Sequence, residues 1–534
     1  MFSSARFPSN IELRCGCIAW DQGSASTLPS LQGFQQQFGI SSESAGSTRN
    51  FISLVYIGDA VGAGLSFLLN DRIGRLRSFR LYTLVWMLGQ LIAMISPAAS
   101  MLYVSRVVSG LGIGALSVTG TISIVEIAPA EIRGLLTAWY SVCMGIALMV
   151  STFCVYGVQL HIATSRFQYQ IVMLAPCMFM SIWAVASFFL CESPRWLLLS
   201  GDDKNAIETL TRLRSLPIDH PRVQEEFGGI KESIQAESMA CGFTSSPSDI
   251  VSIAKETFTV PSNLRRVQQV LILYMLPQLS GGNSVTNYFI PILKVAGVAG
   301  DSSQNLFLNC MYTLTKFVFS LLASFFFIDV LGRRNSLFTG VTLQMLSDIY
   351  LAVYISIQQQ MSVSQLSSEA ALLAIFIHAF GYTIGRFPFS LPEHNTYKLT
   401  YTLHPGLLTL PYVFGGELWP NRIRSFGAAI SQSFHWLFHY AMTFALPSLL
   451  SHTHDWGAFV FFASWCFAAL LYVYLLVPEI AGLSVEEIEE VFRGPWTVFG
   501  MRAARRQRHY LALDGHGHDN ARSFDLDRNA SLDH

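Results

Sequence analysis

Asp71-Arg72-Ile73-Gly74-Arg75 returns as Asp329-Val330-Leu331-Gly332-Arg333-Arg334, and Glu126 with Arg133-Gly134 returns as Glu417 with Arg424 and, close behind, Gly427. Each element is a short charged stretch set between long apolar runs. Charged loops that recur together with their apolar flanks mark a membrane protein assembled from two similar halves. The copies are unevenly spaced: Asp71 and Asp329 lie 329 − 71 = 258 positions apart, Glu126 and Glu417 lie 417 − 126 = 291 apart. The second half therefore holds 291 − 258 = 33 more residues between its two motifs, which points to an insertion.

Around these motifs the 534 residues are 51% hydrophobic and only 13% charged, with a mean hydropathy of +0.41, a composition that belongs in a bilayer. Runs of roughly 20 apolar residues, the length a helix needs to cross the hydrocarbon core, fall near 51–69, 79–98, 101–124, 136–158, 171–190, 268–293, 305–328, 335–357, 370–385, 426–450 and 456–477. A further, weaker span is expected at 11–31. Arg72, Arg75, Arg77 and Arg80 follow the second span, Arg133 the fourth, Arg333 and Arg334 the eighth, and Arg422 and Arg424 the tenth. All share one face, and the bias of arginine toward the inner side makes that face cytoplasmic. Both termini fall on the same side, and no cleavable signal peptide is read. A net charge of −1 gives no reason to expect a nucleic-acid partner. The nine cysteines sit singly in apolar runs apart from Cys15 and Cys17, so neither a disulfide framework nor a zinc site is expected.

The chain divides into an N-terminal six-helix half, 1–190, a cytoplasmic linker, 191–265, a C-terminal half, 266–477, and a cytoplasmic tail, 478–534. In the linker, Ala206, Leu210 and Leu213 recur at helical spacing after Asp202-Asp203-Lys204, which predicts short amphipathic helices lying under the bundle. The tail is polar; its Gly515-His516-Gly517-His518 is read as a solvated stretch or a metal-binding one. Two places fit a spanning bundle badly. The first span is broken by Glu12, Arg14, Asp21 and Gln22 and is predicted to be poorly formed. Residues 386–410 carry Arg386, Glu393, His394, Lys398, His404 and three prolines where one helix should run from Gly385 to Pro411 and on to Glu417. They are read as an anomalous insert, either a gene-model error or a real extramembrane loop.

Further motifs complete the pattern: Glu192-Ser193-Pro194-Arg195-Trp196-Leu197 after the sixth span, Gln278-Leu279-Ser280-Gly281-Gly282-Asn283 in the seventh, and Pro478-Glu479 with Gly482-Leu483-Ser484 after the last. With the duplicated loops, in this order and at these boundaries, the chain resembles the sugar porter family of the major facilitator superfamily, most of all its fungal members. The resemblance implies an all-α membrane protein with the major facilitator fold, twelve transmembrane helices in two pseudo-symmetric six-helix halves, and a substrate site at the midplane between them. It implies secondary-active transport of a sugar or related polyhydroxy compound by alternating access, with protons as the coupled ion and a plasma-membrane location. A facilitative uniporter and a non-transporting sugar sensor are the alternatives. No nucleophile, base and orienting group converge on any loop and no phosphate-cradling glycine loop is present, so neither an enzyme nor a cofactor is expected.

The residues also have a direct physical reading. Asp71, Arg75, Glu126 and Arg133, with Asp329, Arg333, Arg334, Glu417 and Arg424 as the second copy, place opposite charges at helix ends on one face. They form either a latch that breaks when that face opens or a set of topology-fixing anchors. Gly74 and Gly332 fit the tight turns. By the resemblance, Arg106 pairs with Asp21 of the first span as a proton-coupling site; a buried carboxylate keeps its charge beside an arginine and takes up a proton when the two separate. The other reading places Asp21 at the membrane interface. Lys316 is read either as a functional cation or as one that snorkels or bonds a backbone carbonyl. For substrate the resemblance assigns Gln278, Asn283, Asn287, Tyr288, Tyr412, His435, Trp436 and His439, amides and rings suited to hydroxyls and a sugar face; hydrogen bonds between helices are the other use of such amides. His435 and His439 share a helix face as metal ligands would, yet lack an acidic or cysteine partner nearby, so a hydrogen-bonding role is expected and no metal site. Ser141 stands where the family usually has glutamine, Pro277 replaces the first of paired glutamines, no asparagine lies near Phe317, and Tyr412 stands for a tryptophan. These departures speak against the usual monosaccharide specificity and leave a disaccharide, pentose, polyol or quinate-like substrate open.

Overall fold

A computed structural model describes residues 16–40, 45–129, 133–241, 247–322, 333–383, 419, 421–476 and 495–496. The insert at 386–410 and the tail beyond 496 lie outside these residues. The N-terminal half is made of α1 (Gly16–Thr27), a short α2 (Gln32–Phe38), α3 (Ala45–Ile73), α4 (Arg75–Ile95), α5 (Ala99–Ile127), α6 (Arg133–His161) and α7 (Phe167–Ala186). Four helices form the linker: α8 (Pro194–Leu199), α9 (Asp203–Arg214), α10 (Pro221–Cys241) and α11 (Pro247–Thr259). In the C-terminal half the seventh span is a broken rod, α12 (Pro261–Leu279), α13 (Gly282–Asn287) and α14 (Phe289–Val295). It is followed by α15 (Ser302–Leu322), α16 (Arg333–Gln358), α17 (Gln365–Thr383), α18 (Arg424–His452) and α19 (Trp456–Leu476). The protein is an all-α membrane protein with the major facilitator fold.

The two halves pack by the same rules. Within the first, α3 packs on α5, α4 on α5 and α7, and α1 on α6; within the second, α15 packs on α17, α16 on α17 and α19, and α12 on α18. Between the halves, α3 meets α18 and α15 meets α6. Each pair is the other shifted by six spans, which is the pseudo-twofold relation the repeated motifs predict.

Among the described residues, nine helices are long and apolar enough to cross a bilayer. Of the remaining central helices, α1 is too short at 12 residues, and α12 and α18 fall short because polar residues occupy their inner faces: Arg265, Gln269 and Gln278 on α12, Gln432, His435 and His439 on α18, all buried. A helix surrounded by other helices has no need of an apolar surface. The first span, expected to be poorly formed, is described as a helix of 12 residues, shorter than the roughly 20 that cross a bilayer; most of it is buried, and Asp21, Ser24 and Thr27 meet protein rather than lipid. The outer faces carry exposed large apolar side chains such as Leu84, Ile95, Ile182 and Leu373, as a lipid-facing surface requires.

The seventh span also departs from the single run read at 268–293. Pro277 has no N–H to give the helix, and Gly281 adopts φ +83°, where a Cβ would come within 2.8 Å of the Phe462 ring. The rod therefore breaks after Leu279 and again at Tyr288. In the opposite half, α3 and α5 approach so closely that a Cβ on Gly58, Gly62, Gly110 or Gly114 would lie 1.9–2.3 Å from a carbonyl oxygen of the facing helix.

The linker helices lie against the arginine-rich end of the bundle. Ser193 and Asp202 cap α8 and α9 by accepting from the Trp196 and Asn205 backbone N–H groups. Leu197, Leu198 and Ala206 bury their apolar faces with Phe227, Ile230 and Ile234. Arg214 donates to Glu226 at 2.8 Å and to the Ile127 carbonyl at 3.1 Å, tying α9 to α10 and to the end of α5, and Arg422 pairs with Glu256.

Candidate functional site

Asp21, at the middle of α1, is 4% exposed, and Arg106, in the second turn of α5, is 5% exposed. The guanidinium donates to both carboxylate oxygens, at 2.6 and 2.9 Å, a two-pronged geometry that matches two charges and two directions at once. Gln90 of α4 adds a third donor at 3.2 Å. The same guanidinium donates to the Phe51 carbonyl at 3.1 Å and lies 5.0 Å from the centre of the Phe51 ring. Removing either partner strands a charge inside the bundle, so the pair is stable only while it remains together.

Beside it, between the halves, lies a cavity of about 70 Å3, measured as the space open to the centre of a water-sized sphere. Asp21, Gln22, Tyr56 and Asp59 line it from the first half; Asn283, Lys316, Tyr382, His435, Trp436 and His439 line it from the second. Ser141, on α6, is also on its wall. Trp436 and His439, one turn apart on α18, stack with Tyr56 of α3. The Tyr56 and His439 rings are 3.9 Å apart at 17°, and those of Trp436 and His439 5.8 Å apart at 11°. Trp436 Nε1 donates to Ser117 Oγ at 3.2 Å. The resulting wall joins an aromatic face to polar groups, the surface that a polyhydroxy ring with one apolar face requires.

Three of the residues assigned to substrate stand behind this wall instead of on it. Gln278 is 1% exposed; its Nε2 lies 3.3 Å from His435 Nδ1, and its Oε1 accepts from Asn283 Nδ2 at 3.1 Å. Asn287 accepts from Gln22 at 3.1 Å and directs its Nδ2 at Tyr56 OH, His439 Nε2 and Thr443 Oγ1, at 3.1, 3.1 and 3.2 Å. Tyr288 donates to the Thr443 carbonyl at 3.0 Å. These groups orient the lining residues and tie α13 to α1, α3 and α18. His435 and His439 each turn a ring nitrogen to an amide. Tyr412 lies outside the described residues.

At the arginine-rich end, Arg75 Nη2 is 2.8 Å from Glu126 and its Nη1 is 3.0 Å from Asp71. Glu192, from the motif after the sixth span, accepts the Arg75 backbone N–H at 3.0 Å and so caps α4. Gly74 turns the chain at φ +94°, with a Cβ only 2.7 Å from that same carboxylate, which is why glycine stands there. Asp71 also accepts from Ser425 of α18 at 3.0 Å, a bond that crosses between the halves. Of the second copy, Arg424 opens α18. Asp329, Gly332 and Glu417, and the side chains of Arg133, Arg333 and Arg334, lie outside the described residues.

The sequence reading left out Gln22, Tyr56, Asp59 and Gln90. Asp59 was open to view: an acid inside the apolar run 51–69 is costly unless a site needs it. The same rule marks Asp348 and His378, fully buried 3.6 Å apart on α16 and α17. Tyr56, Gln22 and Gln90 become visible only when the helices are assembled.

A family model described as sugar (and other) transporter matches residues 14–398 and 396–492, two stretches that meet within 386–410. The quinate permease of Emericella nidulans is 27% identical over 482 residues, covering 89% of this chain and 86% of that protein. A probable quinate permease of Aspergillus flavus is likewise 27% identical, with 89% and 85% covered. Among solved structures, the proton:xylose symporter XylE bound to 6-bromo-6-deoxy-D-glucose superposes with a TM-score of 0.73 at 17% identity, covering 92% of this chain and 100% of that one. The inward-open xylose transporter XylE from E. coli gives 0.63 at 17% identity, over 90% and 98%. With its duplicated loops, its paired six-helix halves and a family match across nearly its whole length, the chain belongs to the sugar transporter family of the major facilitator superfamily.

Proposed function

We propose that the protein carries a sugar or a related polyhydroxy compound, such as the quinate that its relatives are named for, across the plasma membrane by alternating access, driven by protons. The cavity between the halves is the substrate site. Asn283, Gln22 and Ser141 offer hydrogen bonds, and the Tyr56, Trp436 and His439 rings offer a stacking face. The observation that carries the proton reading is the buried, two-pronged Asp21–Arg106 pair on the edge of that cavity. A carboxylate pulled from its arginine in so dry a place takes a proton, and gives it up when the pair closes again. Movement of α1 against α5 then couples protonation to the exchange of inward- and outward-facing states. On the cytoplasmic face, the Asp71–Arg75–Glu126–Glu192 cluster and its Ser425 bond across the halves act as a latch that breaks when that face opens.

The test is uptake into proteoliposomes under an imposed proton gradient, comparing the protein with Asp21→Asn. The substitution keeps the shape and removes the titrating group. Accumulation against the substrate gradient is expected to vanish while counterflow exchange persists. Undiminished accumulation with unchanged pH dependence would show that protons enter elsewhere.

A further inference from the structure

Among the described residues that line the cavity, Lys316 is the only lysine or arginine. It is 5% exposed and lies on α15 of the second half. Its ammonium donates to Thr286 Oγ1 at 2.8 Å and sits 5.1 Å from the centre of the Tyr382 ring and 5.8 Å from that of Tyr312. A hydroxyl and two ring faces lower the cost of burying the cation without neutralising it. Among the described residues, no carboxylate comes within ion-pair distance of it. An ammonium has three donors and Thr286 takes one. The acid on the far wall, Asp59, belongs to the first half, and its buried Oδ1 has no hydrogen-bond partner.

A neutral sugar would leave this cation as it is. A ligand with a carboxylate at one end and hydroxyls at the other supplies what both walls lack: an anion for Lys316 and hydroxyl donors for Asp59. We infer that the cavity takes a polyhydroxy monocarboxylate, with Lys316 holding the carboxylate and setting the preference for an anionic over a neutral substrate. The inference rests on the reading of this cavity as the substrate site. Where one proton accompanies each monoanion, transport moves no net charge.

The experiment measures binding of quinate and of its neutral methyl ester to the purified full-length protein, and uptake of both by proteoliposomes, for the wild type, Lys316→Met and Lys316→Arg. The wild type is expected to bind the acid at least tenfold more tightly than the ester. Lys316→Met is expected to lose that preference by weakening the acid tenfold or more and the ester less than twofold, and Lys316→Arg to keep it. A wild-type ratio near one overturns the inference, as does a ratio that survives Lys316→Met; the wild-type ratio decides even where Lys316→Met fails to fold. Proton-driven uptake of a neutral sugar in preference to the acid also overturns it, and leaves the transport reading intact.

Discussion

Asn287 offers the most quantitative test of how the halves are held together. Its side chain bonds four others, but only two of them, Gln22 and Tyr56, belong to the opposite half; His439 and Thr443 move with Asn287 itself. An amide has two N–H groups, and three acceptors compete for them here, so one to two hydrogen bonds at any moment cross the interface. Interhelical bonds in membrane proteins average about 0.6 kcal/mol, and intramolecular bonds in general about 1 kcal/mol. Asn287→Ala is therefore expected to destabilise the closed arrangement by about 0.6–2 kcal/mol relative to any state in which the halves part there. That shifts the ratio of closed to open molecules about 3- to 30-fold toward open. The assay is a distance distribution from spin labels on cysteines introduced at the exposed loop positions Ala163 and Gln360, one in each half, after replacement of the native cysteines. Thr443→Val is the control. It removes a competitor for the same N–H groups within one half, so it should leave the distribution unchanged or move it slightly toward closed, never toward open. Identical distributions for Asn287→Ala and its parent, or an equal shift from Thr443→Val, would refute this account of the interface.

Two further outcomes are expected. Asn283→Ala removes an amide from the cavity wall and should weaken substrate binding by about 1–3 kcal/mol, the usual cost of leaving a polar partner unsatisfied, as read by equilibrium binding; unchanged affinity would move the site elsewhere. Deletion of residues 386–410 should leave proton-driven uptake at or above the level of the full chain, because joining Gly385 to Pro411 restores one apolar run that ends at Glu417; abolished uptake with normal membrane insertion would show that the segment works.

The fold was legible because its signals are local. A charged loop repeated between apolar runs needs no tertiary information to be recognised. Much of the site was legible for the opposite reason: Asp21, Asn283 and His435 are out of place in lipid, so their positions had to be explained by a ligand, a partner or another helix. Hydropathy is low at α12 and α18 on that account, since it treats every span as lipid-facing, and the central helices are not. What the sequence withheld is which polar residue faces the cavity and which stands behind it. Asn283 and Asn287 are one turn apart and identical in kind; only the break at Gly281 and the position of Tyr56 give one to the cavity wall and the other to the seam between the halves.

The glycine contact between α3 and α5 has a mechanical consequence. Gly58 and Gly62 face Gly110 and Gly114 so tightly that sliding either helix by one residue drives a side chain into the other's backbone. Such a joint resists both shear and rotation, and α5 is itself 83% buried over its most apolar window. The half that holds the ion pair is therefore the stiff one, built to turn as a single block. In the other half the seventh span is interrupted at Gly281 and Tyr288, so a bend there is expected to fall at these breaks and to give up the few backbone hydrogen bonds that still cross them, such as Gly281 N–H to the Gln278 carbonyl and Tyr288 N–H to the Ser284 carbonyl.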